Sequence, residues 1–222
     1  MIKRDRLVQT FCDIAKIDSP SGEEEDMAKD LTARLESLGF TTMRDDYGNL
    51  VATDGRPNPI LLSAHLDTVE PGRGIKPSVE GDKIVSDGTT ILGGDCKAGV
   101  SAILEALESI KEDGVEFHPV ELAFTREEEI GLVGARNLDL SLITAKEAIL
   151  FDGKGPVSQI TASSPTDVGF DIEITGRAGH AGVEPEKGLS YIRLASEIFT
   201  RLPQVRLNET TTVKGGTLEG GT

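Results

Sequence analysis

The run Pro59-Ile60-Leu61-Leu62-Ser63-Ala64-His65-Leu66-Asp67 decides the architecture of this chain. From Ile60 to Ala64 it is apolar apart from one serine, the pattern of a buried central strand. It then passes directly into a histidine and an aspartate. Two further apolar runs end the same way: 120–124 leads into Thr125-Arg126-Glu127-Glu128-Glu129, and 148–151 leads into Asp152-Gly153. Around these runs the apolar spacing is helical. Leu7, Val8, Phe11, Ile14, Ala15 and Ile17 form one stripe, and Val100, Ile103, Leu104, Leu107 and Ile110 form another within 97–110. Helices alternating with short buried strands indicate a layered α/β domain. In open α/β sheets, ligands gather outside the carboxyl ends of the strands, which is where this chain carries its histidine and carboxylates.

Shorter signals fill in the rest. Ser19-Pro20-Ser21-Gly22 breaks the first helix, Ser21 with Glu24 reads as a capping box for the second, and Gly39 ends that helix in a left-handed conformation. Strands at 40–44 and 49–53 flank the turn Asp46-Tyr47-Gly48, and the Gly-, Pro- and Asp-rich stretch 70–94 is expected to contain a hairpin. Composition shifts at Ser163-Ser164-Pro165-Thr166, a linker that divides a first domain, 1–164, from a second, 165–222. Beyond it Val168, Phe170, Ile172 and Ile174 alternate with polar residues as in a half-exposed strand. Residues 191–202 are helical, with Ile192, Leu194, Ala195 and Ile198 on the apolar face, and 210–212 begin another strand.

Composition narrows the function. The chain carries 38 acidic against 23 basic residues, a net charge of −15, so no basic stripe is available to neutralise the phosphates of a nucleic acid. No apolar run is long enough for a membrane span, and the amphipathic start does not read as a signal peptide. Cys12 and Cys96 provide no disulfide framework; Cys12 falls on the apolar face of the first helix, and the expected compartment is the cytoplasm.

A fourth acid, Asp95, lies in Gly93-Gly94-Asp95-Cys96-Lys97 at a helix start, where the dipole tolerates negative charge. Each piece has a plain explanation by itself. Asp95 would serve as an N-cap, Glu127-Glu128-Glu129 as a solvated turn, and Asp152-Gly153 as another turn. Together, four element ends carrying imidazole or carboxylate point to a site for zinc, cobalt or manganese.

The motifs His65-Leu66-Asp67-Thr68-Val69, Gly94-Asp95-Cys96-Lys97-Ala98-Gly99, Glu128-Glu129-Ile130-Gly131 and Gly176-Arg177-Ala178-Gly179-His180 occur in this order. The set resembles the two-zinc exopeptidases that include peptidase T, glutamate carboxypeptidase and acetylornithine deacetylase, and it is most similar to the peptidase T group. The resemblance implies a mixed sheet flanked by helices, followed by part of a small α+β two-layer lid domain through which such chains form homodimers. It implies two zinc ions: His65 and Asp152 on one, Glu129 on the other, Asp95 bridging both. Asp67 would orient His65, Glu128 would be the general base, and His180 of the lid would donate to the substrate oxyanion. The aligned phrase of the family places a proline and an aspartate where this chain has Arg126 and Glu127, outside the ligand set. The substrate would be a short peptide, with a deacylase, a carboxypeptidase or a non-catalytic metal-binding fragment as alternatives. The family also uses one more histidine, beyond the lid. This sequence has only His65, His118 and His180, so the chain is expected to stop inside the lid domain and to be inactive alone.

Overall fold

A computed structural model of the protein describes residues 1–153, 155–164, 166, 168–180 and 182–220. The deciding run forms strand β3 (Ile60–His65), and the two other apolar runs form β6 (Val120–Thr125) and β7 (Ala148–Leu150). With β1 (Thr41–Arg44) and β2 (Leu50–Thr53) they build one sheet in the order β1-β2-β6-β3-β7. β3 runs parallel to both β6 and β7, whereas β1 pairs with β2, and β2 with β6, antiparallel. The sheet is therefore mixed, as expected. β4 (Ser78–Glu80) and β5 (Lys83–Val85) form the expected hairpin apart from it.

Burial follows position in the sheet. Central β6 is buried along its whole length, β3 only at Ala64 and His65, and β7 not at all. The expectation that 148–151 forms a buried strand is thus corrected. β7 is the edge strand, hydrogen-bonded on one side only, and Leu150 remains 68% exposed.

Helices α1 (Arg4–Ala15), α2 (Glu25–Leu38) and α3 (Gly94–Asp113) share one core with the sheet: Ile14, Leu31, Leu35, Ile103 and Leu104 meet Leu50, Leu122 and Phe124. Cys12 packs in a second apolar cluster with Phe11, Ala15 and Ile75. At the far end of α1, Arg6 grips the buried Glu105 of α3 through two hydrogen bonds of 2.6 and 3.0 Å. Gly39 ends α2 at φ +94°, as expected. The capping box does not form: α2 begins without a side-chain cap. Ser21 donates instead to Asp67, and Glu24 is drawn to Arg126. Buried charges need partners more than a helix end does, so they win these side chains.

The chain divides into two compact units, Met1–Gln159 and Ile160–Thr222. Pro165 of the expected linker lies outside the described residues, next to the expected boundary after 164. The second unit holds α4 (Tyr191–Arg201), whose first turn is capped by Ser190, and a short ladder of β8 (Val205–Arg206) with β9 (Thr212–Val213). The strand expected around 168–174 is not formed among the described residues, where Val168, Phe170 and Ile172 are exposed. Alternation marks a face, but a strand also needs a neighbour to pair with. Among the described residues no helix is long and apolar enough to cross a membrane.

Candidate metal centre

The parallel register sets the strand ends side by side. His65 stands opposite Thr125, and just beyond β7 the Phe151 N–H donates to Ser63 O at 2.8 Å. Past these ends the chain presents Asp67, Glu127–Glu129 and Asp152. Asp95 comes from the entrance of α3, where Asp95 and Cys96 lie outside helical φ/ψ and the preceding Gly93 is left-handed at φ +72°. The regular helix therefore starts only after the ligand-bearing bend.

His65 is buried. Its Nε2 lies 3.1 Å from Asp95 Oδ1 and 3.8 Å from Asp152 Oδ1. Nδ1 faces Asp67 Oδ1 at 3.3 Å but has no well-directed hydrogen bond. Donor atoms of His65, Asp95, Cys96 and Asp152 lie within 4.8 Å of one another, and so do those of His65, Glu128 and Glu129. His118 is exposed and away from this cluster.

Asp67, fully buried, organises the centre. Its Oδ1 accepts the Glu128 N–H at 2.9 Å; its Oδ2 accepts the Glu129 N–H at 3.1 Å and the Ser21 hydroxyl at 2.7 Å. Burial opposes its charge, yet His65, Ser21 and the two amides hold its carboxyl at about 2. Burial likewise opposes charge on His65, but the adjoining Asp67 and Asp95 outweigh it and raise the imidazole to about 9. Asp152 is pushed up to about 6 by burial and then by its hydrogen bond with Asp95; Glu129 is raised by burial and then by Asp95. These shifts describe negative charge crowded around a single imidazole.

Among the described residues no lysine or arginine pairs with Asp95, Asp152, Glu128 or Glu129. A divalent cation would relieve that crowding, and one imidazole with several carboxylates suits zinc, cobalt or manganese. The cluster therefore fits a metal. Cys96 is a different matter. Burial pushes its thiol up to about 12, and Sγ donates to Phe151 O at 2.8 Å, so it joins α3 to the β7 end as a neutral donor.

Sequence reasoning missed Ser21 and Glu24 as parts of this centre. Their only local signal was the helix-capping pattern, which led elsewhere. The second unit carries His180, exposed, with Nδ1 accepting the Gly182 N–H at 3.2 Å.

The family model described as Peptidase family M20/M25/M40 matches residues 61–214. The uncharacterized protein YqjE of Bacillus subtilis (strain 168) is 40% identical over 233 residues, covering 100% of this chain and 63% of its own length. A peptidase T of Listeria monocytogenes serotype 4a (strain HCC23) is 27% identical over 251 residues, covering 90% of this chain and 61% of its own. Among solved structures, aminopeptidase PepT from Bacillus cereus ATCC 10987 superposes with a TM-score of 0.78 at 39% identity, and a tripeptidase from Staphylococcus aureus subsp. aureus Mu50 with 0.80 at 32%. Both matches cover 100% of this chain and 62% of the solved chain. The chain thus spans under two thirds of the length of these relatives.

Proposed function

Because the chain belongs to peptidase family M20/M25/M40, we propose that it carries most of the metal-binding machinery of an aminopeptidase acting on short peptides, in the manner of the tripeptidases it resembles. The observation that carries this reading is the convergence of His65, Asp95, Asp152, Glu128 and Glu129 at the carboxyl ends of β3, β6 and β7.

His65, Asp95 and Asp152 would hold one zinc and Glu129, with Asp95 shared, a second; cobalt or manganese suits the same donors. When bound, such ions supply Lewis-acid polarisation of a carbonyl and a lowered pKa for water. The remaining work belongs to side chains. The Glu128 carboxylate takes the proton of the attacking water and returns it to the leaving amine. Asp67 faces the His65 ring on the Nδ1 side and fixes the Glu128 and Glu129 amides, so base and ligands share one neighbour. By the resemblance, His180 would be the donor to the oxygen on which negative charge develops. We place the protein in the cytoplasm, which suits its two free, buried cysteines. Apolar residues exposed on the second unit, Phe170, Ile172 and Phe199 among them, support homodimerisation through it.

One observation favours a second reading, a metal-binding chain without turnover: of three histidines only His65 is in the cluster, which leaves Glu129 without an imidazole of its own. The test is the purified chain with zinc against a panel of di- and tripeptides, with a chelated control and a metal count on the same sample. Chelator-sensitive release of N-terminal residues establishes the peptidase. Bound zinc without cleavage supports the metal centre and leaves the 222-residue chain with the second reading, and no bound zinc refutes both.

A further inference from the structure

In the acidic turn after β6, three successive amides end on buried carboxylates. Glu128 and Glu129 donate to Asp67, as described, and the Glu127 N–H donates to Glu24 Oε1 at 3.0 Å. Glu24 is fully buried. Its Oε1 also accepts the Gly22 N–H at 2.8 Å, and its Oε2 accepts from Arg126 Nε at 2.8 Å. Arg126 continues to Gly22 O at 3.0 Å and Tyr47 O at 3.2 Å, and the Tyr47 hydroxyl donates to Glu127 Oε2 at 2.6 Å. Glu24, Arg126 and Tyr47 thus enclose Glu127 from three sides.

What they enclose is a strained residue. Glu127 has φ +51°, a left-handed conformation uncommon for a side chain other than glycine, asparagine or aspartate. Such a conformation persists where the surroundings over-determine it. Its effect is directional: a left-handed residue turns the chain away from the line of β6, so that the next two amides meet Asp67. A buried ion pair is weak evidence for stability but can specify one arrangement over others.

We propose that Glu24 is a positioning residue for the Glu128–Glu129 pair, acting through the Glu127 backbone. The proposal rests on the reading of Glu128 as base and Glu129 as metal ligand.

The experiment compares Glu24→Asp and Glu24→Gln with wild type in the 222-residue chain. Aspartate keeps the charge for Arg126 but withdraws the oxygen from the Glu127 N–H by one methylene; glutamine keeps an acceptor at full length. Amide hydrogen exchange is read by NMR at 127–129, with Leu122 of β6 as the folded reference. Zinc binding is read by calorimetry. In Glu24→Asp we expect exchange at 127–129 to rise about tenfold, the scale of one lost hydrogen bond, while Leu122 stays protected. Zinc held through Glu129 should weaken while zinc on His65, Asp95 and Asp152 keeps its affinity, and Glu24→Gln, which keeps Oε1 for the Glu127 N–H but offers Arg126 no oxygen, should protect 127–129 better than Glu24→Asp. Unchanged exchange at 127–129 in Glu24→Asp overturns the positioning role and leaves the metal reading standing. Wild type that takes up no zinc overturns the metal reading and this role with it.

Discussion

Gly99→Ala tests how closely α3 must lie against β7 for Asp95 to meet Asp152. A methyl group at Gly99 would overlap the carbonyl oxygen of Phe151 and stand 2.8 Å from Phe151 Cβ and 3.0 Å from Cys96 Sγ. Apolar atoms rest about 3.5–4.0 Å apart, so helix and strand would have to separate by roughly 1 Å. Overpacking of this kind costs about 1–3 kcal/mol, and the better helix propensity of alanine returns at most about 1 kcal/mol. For a domain of this size each kcal/mol is worth about 2–4 °C, so the melting temperature should fall by several degrees. The same displacement moves Asp95 relative to Asp152, and zinc affinity at the His65 group should drop by about 10–100-fold, the range seen when support around metal ligands is disturbed. Gly94→Ala is the control for a methyl without a clash: five residues earlier, before the bend at Asp95 and Cys96, a methyl meets nothing within 4 Å. Thermal melts followed by circular dichroism and zinc titration by calorimetry provide the two readouts. If Gly99→Ala melts at or above wild type with unchanged zinc affinity, the close approach of α3 to β7 does not govern the site.

Three further outcomes follow from the geometry. His65→Ala should remove tight metal binding by the group that includes Asp95 and Asp152; elemental analysis showing undiminished zinc would contradict the assignment. Glu128→Ala should keep the metal but lower turnover by about 10²–10⁴-fold wherever peptidase activity is measurable, whereas damage from Glu127→Ala with Glu128→Ala harmless would shift the register of the acidic turn by one. Glu105 is 1% exposed, and its hydrogen bond to Arg6 holds its carboxyl down at about 2. A depressed carboxyl stabilises the fold above its unfolded value of about 4.3, and the contribution disappears as pH falls through the folded value, with a size on the order of 3 kcal/mol. The gap in urea midpoint between wild type and Glu105→Gln should therefore be wide at pH 7 and narrow toward pH 2.5; an equal gap at both would rule the linkage out.

What could be read from the residues, and what could not, divides by range. The stripes at Leu7–Ile17 and Val100–Ile110 predicted α1 and the body of α3, and Gly39 marked the end of α2, because helical periodicity and left-handed caps are local. The strand-end placement of His65 and Asp152 was visible for the same reason. Edge and centre of a sheet were not distinguishable: 148–151 is as apolar as 120–124, yet one strand is exposed and the other buried, which only the strand order decides. The alternation at 168–174 describes a possible face without supplying a partner strand. Ser21 and Glu24 carry a good capping pattern, but Asp67 and Arg126, 46 and 102 residues away in sequence from them, compete successfully for those side chains.

The parallel pairing of β3 with β6 has a kinetic consequence. It joins Ser63 to Ala123, sixty residues apart, and the donors at 65, 95, 128 and 152 meet only once that long loop has closed. Contacts of such sequence separation form slowly, because chain entropy must be lost before they reward it. A slip of one residue would send every β3 side chain to the opposite face and carry His65 away from Asp95 and Asp152. No short segment of this chain holds the centre, so an ion that binds there recognises the registered sheet. It should slow unfolding, therefore, while leaving the folding rate nearly unchanged.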